Sequence, residues 1–178
     1  RIYDEVHAFT KEVVDSLLID YEPLVINIHD KPPGANTALA IHQNPSFVEE
    51  PTHKSVSIWI PMVDVRKENG TLGVLRGSHD VFDGMRAANM PDVFENVARQ
   101  LTTRYFEPLE LERGEAAILD DSVIHWSYPN MSDKVRLAVQ LIMVPKKPHH
   151  IYYYYISADE TPHLDLYTVD KNFFFEFN

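Results

Sequence analysis

The sequence contains no cysteine. Disulfides, zinc ribbons and thiolate nucleophiles are therefore excluded, and a transition metal would have to be held by histidine, carboxylate or amide groups. Long apolar runs are also missing, so no segment has the length of a membrane-spanning helix. Nothing at the N-terminus resembles a secretion signal, and the expected location is cytoplasmic. Basic residues are scarce: 16 Lys and Arg stand against 27 Asp and Glu, a net charge of −11. A nucleic-acid binder needs a dense basic face to displace counterions, and no cluster here supplies one. The same charge argues against an anionic membrane surface. There is no glycine-rich phosphate loop, no strand–helix alternation and no internal repeat. The chain opens at Arg1 rather than Met, already inside a helical pattern, so further upstream residues are expected.

What is present fits one domain, residues 1–178, with 44% apolar residues. Ile2, Val6, Phe9, Val13 and Leu17 form one helical stripe, predicting a helix over 1–20 that packs outside a sheet. After Pro23 the pattern turns to short strands: Leu24–His29, Thr37–His42, Ser55–Met62, Thr71–Leu75, Leu109–Leu111, Ala116–Leu119, Val123–Trp126 and Val135–Val144. In Ser55–Met62, Ser55, Ser57 and Trp59 share one face. In the last strand Arg136, Ala138, Gln140 and Ile142 share one. Residues 80–105 break this rhythm and look partly helical, with Pro91 as an interruption; they read as an inserted lid or selectivity element. Arg86 and Arg104 there are candidates to meet an anionic substrate, or surface residues. The tail, 149–178, is rich in Tyr and Phe and is expected to be an extended segment packed on the sheet or on a partner subunit, a route to a homo-oligomer. Many short strands with regular turns predict a mainly β sandwich or barrel with flanking helices.

Nine histidines make chance pairs common. His42 ends a strand, and residues two apart on a strand point to one side, so His42 and Asn44 can converge. That pattern alone carries little. His125 also ends a strand. Arg136 sits in an otherwise apolar strand, where a charge is costly unless it is paired, so it needs an internal carboxylate or an anionic ligand. Together, two histidines and the residue two after the first make a facial triad with open positions for a bidentate oxo-acid and dioxygen. An Arg fork suits the remote carboxylate of that acid.

In this order the motifs resemble the phytanoyl-CoA dioxygenase (PhyH) family of iron(II)/2-oxoglutarate oxygenases, from about Leu24 to Val144. The likeness runs through His42-Gln43-Asn44, Ser57 to Val65, Glu68-Asn69-Gly70-Thr71-Leu72, Arg76-Gly77-Ser78-His79 and Arg113-Gly114-Glu115. It ends with His125-x-Ser127-x-Pro129-Asn130-x-Ser132 and Arg136. The resemblance implies a double-stranded β-helix (jelly-roll, cupin-like). It implies His42, Asn44 and His125 as iron(II) ligands, and Arg136 with Ser127 on the distal carboxylate of 2-oxoglutarate. Gln43 and Trp59 are expected to line the co-substrate pocket. The implied activity is dioxygen-dependent hydroxylation of a small molecule that the sequence does not identify. The Gly77-Ser78-His79 turn is expected to be structural, and Asn69-Gly70 a turn and nothing more.

One departure stands out. The family pattern has Asp where this chain has Asn44. Asn keeps a carbonyl oxygen but loses the charge, so metal affinity should fall, and Asn44→Asp is expected to tighten iron binding. Three readings follow: an active oxygenase with Asn44 coordinating through oxygen, an altered or inactive jelly-roll binding protein, or a halogenase-like variant. The last is disfavoured because halogenases carry Gly or Ala there, which vacates space, whereas Asn is as large as Asp. Asp121, Glu49 and Glu50 are candidate stand-in carboxylates.

Overall fold

A computed structural model describes residues 2–50, 52–82, 84–157 and 161–176. Helix α1 (Ile2–Leu17) carries Asp4 and Glu5 in its first turn, where the helix dipole favours negative charge. It lies on a sheet, as expected, but through a different face. Val6, Val14 and Leu18 pack against Ile58, Val139, Leu141 and Met143, while Phe9, Val13 and Leu17 are exposed. The buried line runs Val6, Thr10, Val14, Leu18 at four-residue steps. Thr10 is admitted because its hydroxyl donates back to the Val6 carbonyl at 2.8 Å. That hydroxyl hides the true stripe from a hydrophobicity pattern.

The strands that follow are β1 (Tyr21–Lys31), β2 (Leu39–His42), β3 (Val56–Pro61), β4 (Leu72–Val74), β5 (Glu107–Pro108), β6 (Ala117–Asp120), β7 (His125–Ser127) and β8 (Arg136–Pro145). They form two four-stranded sheets, ordered β1-β8-β3-β6 and β2-β7-β4-β5. Every pair within them is antiparallel. This is the double-stranded β-helix that the family resemblance implied, within the sandwich-or-barrel class that the strand pattern predicted. Alternation along β3 and β8 behaves as expected. Ile58, Val139, Leu141 and Met143 point out under α1, and Ser57, Trp59, Arg136 and Gln140 point in.

Two strand registers place the chemistry. In β1–β8, Lys31 lies opposite Arg136. In β2–β7, His42 lies opposite His125.

Elsewhere the outline shifts. The strand expected at Leu109–Leu111 sits at Glu107–Pro108; beyond it Leu109 N–H donates to Leu72 O at 2.8 Å and Leu111 forms an isolated antiparallel bridge with Val65. Among the described residues of the 80–105 segment only Ala98–Arg104 (α2) is α-helical, after a 3-10 turn at Ser78–Asp80. Asn89 at positive φ and Pro91 keep the stretch before α2 irregular. The tail is not a lone extended segment. It is a hairpin of β9 (His150–Ile156) and β10 (His163–Val169), followed by the short helix α3 (Phe173–Glu176). Tyr152, Tyr167, Phe173 and Phe174 pack, half-buried, on a core of Leu24, Phe47, Val48, Ile142 and Val144 of the same chain. Among the described residues no helix is long and apolar enough to cross a membrane.

Candidate active site

The two sheets enclose a cavity of about 420 Å³, lined among others by Lys31, His42, Asn44, Ser57, Trp59, His125, Ser127, Arg136 and Gln140. One end is built on histidine. The His42 and His125 rings lie 4.2 Å apart between centroids. Each ring is held the same way: Nδ1 of His42 lies 2.8 Å from Ala40 O, and Nδ1 of His125 lies 2.9 Å from Val123 O. A carbonyl only accepts, so Nδ1 carries the hydrogen and Nε2 keeps its lone pair. Burial, and then the neighbouring His42, push His125 down to about 3; burial also lowers His42. Both imidazoles are therefore neutral at physiological pH, the form that binds metals.

Asn44 completes this end. Its Nδ2 donates to Asp121 Oδ1 at 2.8 Å and to Ser57 Oγ at 3.0 Å. Its backbone N–H donates to Asp121 O at 3.0 Å. Asp121 is fully buried, and burial raises its carboxyl pKa against the opposing pull of Ser57, Ser55 and Asn44. Among the described residues no three His, Cys, Asp or Glu side chains gather into a metal-binding group. The candidate donors are thus two neutral imidazoles and one carboxamide. Two free Nε2 lone pairs beside an amide oxygen fit a divalent metal such as iron(II), with less charge compensation than a carboxylate would give.

The other end is cationic. Lys31 Nζ donates to Thr37 O, Ser127 Oγ and Tyr128 O at 2.5, 2.6 and 3.0 Å. Arg136 donates from one terminal nitrogen to Gly70 O at 3.1 Å, while its Nε and other terminal nitrogen are buried without a partner. The Arg136 guanidinium stacks 5.4 Å from the Trp59 ring. Among the described residues neither cation is paired with a carboxylate. Burial, then Arg136, push Lys31 down to about 8, and burial pushes Arg136 down to about 10. Leaving a buried charge unpaired costs on the order of several kcal/mol, so this end is built for an anion.

Local structure explains how these groups are held. Gly70 has φ +87°, and a Cβ there would lie 2.5 Å from Lys31 Cδ. The Asn69-Gly70 turn therefore does more than reverse the chain: it makes room for Lys31 and offers Arg136 a carbonyl. Asn130 is fully buried and uses its whole amide. Nδ2 donates to Lys31 O and Lys134 O at 2.8 and 2.7 Å, and Oδ1 accepts from Ser132 N–H and Oγ. It ties the end of β1 to the turn that feeds Arg136. Ser78 Oγ accepts from Ile124 N–H at 2.8 Å, one residue before His125, which gives the Gly77-Ser78-His79 turn its structural role.

Of the residues singled out in the sequence, His42, Asn44, His125, Ser127, Trp59 and Arg136 meet in one cavity. Gln43 does not line it. Its Nε2 donates to Phe82 O and Ser122 O at 2.9 and 2.6 Å, and it faces a second cavity of about 440 Å³ beyond His42. Arg86 is neither on the surface nor free for an anion. It is buried and bidentate to Glu50 at 2.5 and 2.7 Å, and its Nε donates to Asn44 O at 2.7 Å. Glu50 is thereby spent on Arg86. Lys31 was missed. It stands past the strand expected at Leu24–His29, just before Pro32-Pro33-Gly34, and only the β1–β8 register brings it opposite Arg136.

The phytanoyl-CoA dioxygenase (PhyH) family matches the chain over residues 6–138. Phytanoyl-CoA dioxygenase 1 of Oryza sativa subsp. japonica is 26% identical over 118 residues, 64% of this chain and 41% of that protein. A Dictyostelium discoideum homolog of phytanoyl-CoA dioxygenase domain-containing protein 1 is 33% identical over 108 residues, 57% of this chain and 38% of that protein. The chain spans about two fifths of the length of the curated relatives it matches. Among solved structures, HygX from Streptomyces hygroscopicus aligns with a TM-score of 0.58 at 14% identity, covering 81% of this chain and 68% of that one. The epimerase SnoN in complex with Fe3+, alpha-ketoglutarate and nogalamycin RO aligns at 0.57 and 16% identity, covering 73% and 52%. These likenesses concern the fold. The match over residues 6–138, most of the chain, means that this chain belongs to the phytanoyl-CoA dioxygenase (PhyH) family.

Proposed function

We propose that this chain carries the active site of an iron(II)/2-oxoglutarate-dependent oxygenase acting on a small molecule. His42 and His125 through Nε2, and Asn44 through its amide oxygen, would hold iron(II). Arg136, Lys31 and Ser127 would hold the distal carboxylate of 2-oxoglutarate. Iron(II) with 2-oxoglutarate supplies dioxygen-dependent decarboxylation to succinate coupled to hydroxylation of a C–H bond. The observation that carries this reading is the pair Lys31 and Arg136: two buried cations without an acid, at the opposite end of one cavity from two neutral imidazoles.

The chain's own part is orientation. Arg136, over the Trp59 ring, presents the N–H groups that have no partner among the described residues, and Ser127 and Lys31 share a hydrogen bond beside it. An acid held there points its other end toward the histidines. The Arg86–Glu50 pair fixes the loop after Asn44.

The test has two arms. Calorimetry should show 2-oxoglutarate binding that falls at least tenfold in Arg136→Ala. Iron(II)-loaded protein should release succinate with oxygen uptake. Unaltered binding in Arg136→Ala would remove the cationic end from the reading.

A second reading is supported by the absence of an acid among the candidate donors of the described residues. The chain would then bind a dicarboxylate without turnover. Anion binding with no succinate and no oxygen uptake, across candidate substrates, would favour it.

A further inference from the structure

The amide of Asn44 is held on one side only. Both Nδ2 hydrogens are committed, one toward Asp121 Oδ1 at 2.8 Å and one toward Ser57 Oγ at 3.0 Å. Ser57 cannot reverse its role, because its own hydrogen goes to Asp121 Oδ1 at 2.6 Å while it accepts from Gln140 Nε2 at 3.0 Å. Turning the amide over would set Asn44 Oδ1 against two acceptors. A backbone bond, Asn44 N–H to Asp121 O at 3.0 Å, clamps the two residues a second time. Asn44 Oδ1 has no hydrogen-bond partner among the described residues. It belongs to the residue that lines the cavity beside His42 and His125.

We infer that Asp121 is a positioning residue that, with Ser57, turns Asn44 oxygen-first toward the metal site, so that a carboxamide can serve as the third ligand. This rests on the proposed iron site. It needs only that Asp121 Oδ1 accept. Its consequence for Asn44→Asp reverses the expectation from the sequence alone. A carboxylate at 44 has no hydrogen to give, so it would set an acceptor against Asp121 Oδ1 and Ser57 Oγ, where the Asn44 amide now donates. Restoring the acid should therefore gain little unless Asp121 changes too.

The test is cobalt(II) binding to the full chain, followed by calorimetry and by the visible cobalt absorption. Asp121→Leu should weaken cobalt(II) at least tenfold with the secondary structure unchanged. Asp121→Asn, which keeps an acceptor oxygen, should bind within about threefold of wild type. Asn44→Asp should gain no more than a few-fold, and Asn44→Asp with Asp121→Asn should bind at least tenfold tighter than Asn44→Asp alone. Should Asp121→Leu fail to fold, the last comparison decides. Equal cobalt(II) affinity in wild type and folded Asp121→Leu, or in Asn44→Asp and the double variant, overturns the inference and leaves the oxygenase reading standing. No cobalt(II) binding by folded wild type or double variant overturns that reading and the inference with it.

Discussion

At the scale of single residues, the site is a set of groups kept in unusual states by burial. Lys31 has the most direct consequence for stability. In the folded chain its pKa is about 8, against 10.5 for an ordinary lysine. Between those values the unfolded chain holds a proton that the folded chain has lost, so unfolding takes up a proton and stability rises with pH. Below about pH 8 the charged form carries its full burial cost. The stability of wild type relative to Lys31→Met should therefore increase from pH 8 to pH 10.5, read by denaturant melts on both proteins. A flat difference would mean that the ammonium is already compensated. Arg136 could be weighed from the sequence because its strand is apolar apart from it and Gln140. Lys31 could not, because its neighbours are Asp30 and Pro32, and only the β1–β8 register brings it to Arg136.

At the scale of elements, turns set the cationic end as much as strands do. Gly70 combines a positive φ with contact against Lys31. Gly70→Ala should strain the turn and push the lysine stem aside, costing about 1–2 kcal/mol of stability. It should also lower 2-oxoglutarate affinity by about tenfold while cobalt(II) binding at the far end stays unchanged. A parallel loss of both would show that the turn supports the whole cavity. The strand pattern of β3 and β8 was legible because alternation under a helix is unambiguous: one row apolar, the other Ser57, Trp59, Arg136 and Gln140. The face of α1 was not, since Thr10 satisfies itself on Val6 O and counts as polar in any sequence window. The hairpin β9–β10 was not legible either, because a run of tyrosines has no alternation to read.

At the scale of the whole molecule, the two cavities share His42 and are held by parts far apart in sequence. The second is walled by residues 85–94 and includes Met85, Ala88, Met90 and Phe94. That stretch is bonded to the tail: Ala88 N–H donates to Tyr153 O at 2.9 Å, and Tyr155 N–H donates to Ala88 O at 3.0 Å. The first cavity, with its unpaired cations, should be relieved by any anion that fits. A ligand at 100 times its Kd adds about 2.7 kcal/mol to stability. For a chain of this size that is a Tm rise of roughly 5–10 °C. Differential scanning with 2-oxoglutarate should show it, and Arg136→Ala should cut it to about half or less at the same ligand concentration. An equal rise in that variant would place the anion elsewhere.

The backbone bonds of His42 and His125 decide something that no neighbouring side chain controls. Ala40 O and Val123 O fix the tautomer of each ring, and burial keeps both rings unprotonated. At neutral pH the two histidines have no hydrogen ions to surrender when a metal arrives, and an Asn44 carboxamide has none at all. Cobalt(II) uptake near pH 7 should thus give the same heat in buffers of very different ionisation enthalpy. In most histidine sites the buffer absorbs part of the signal; here burial has already done the deprotonating.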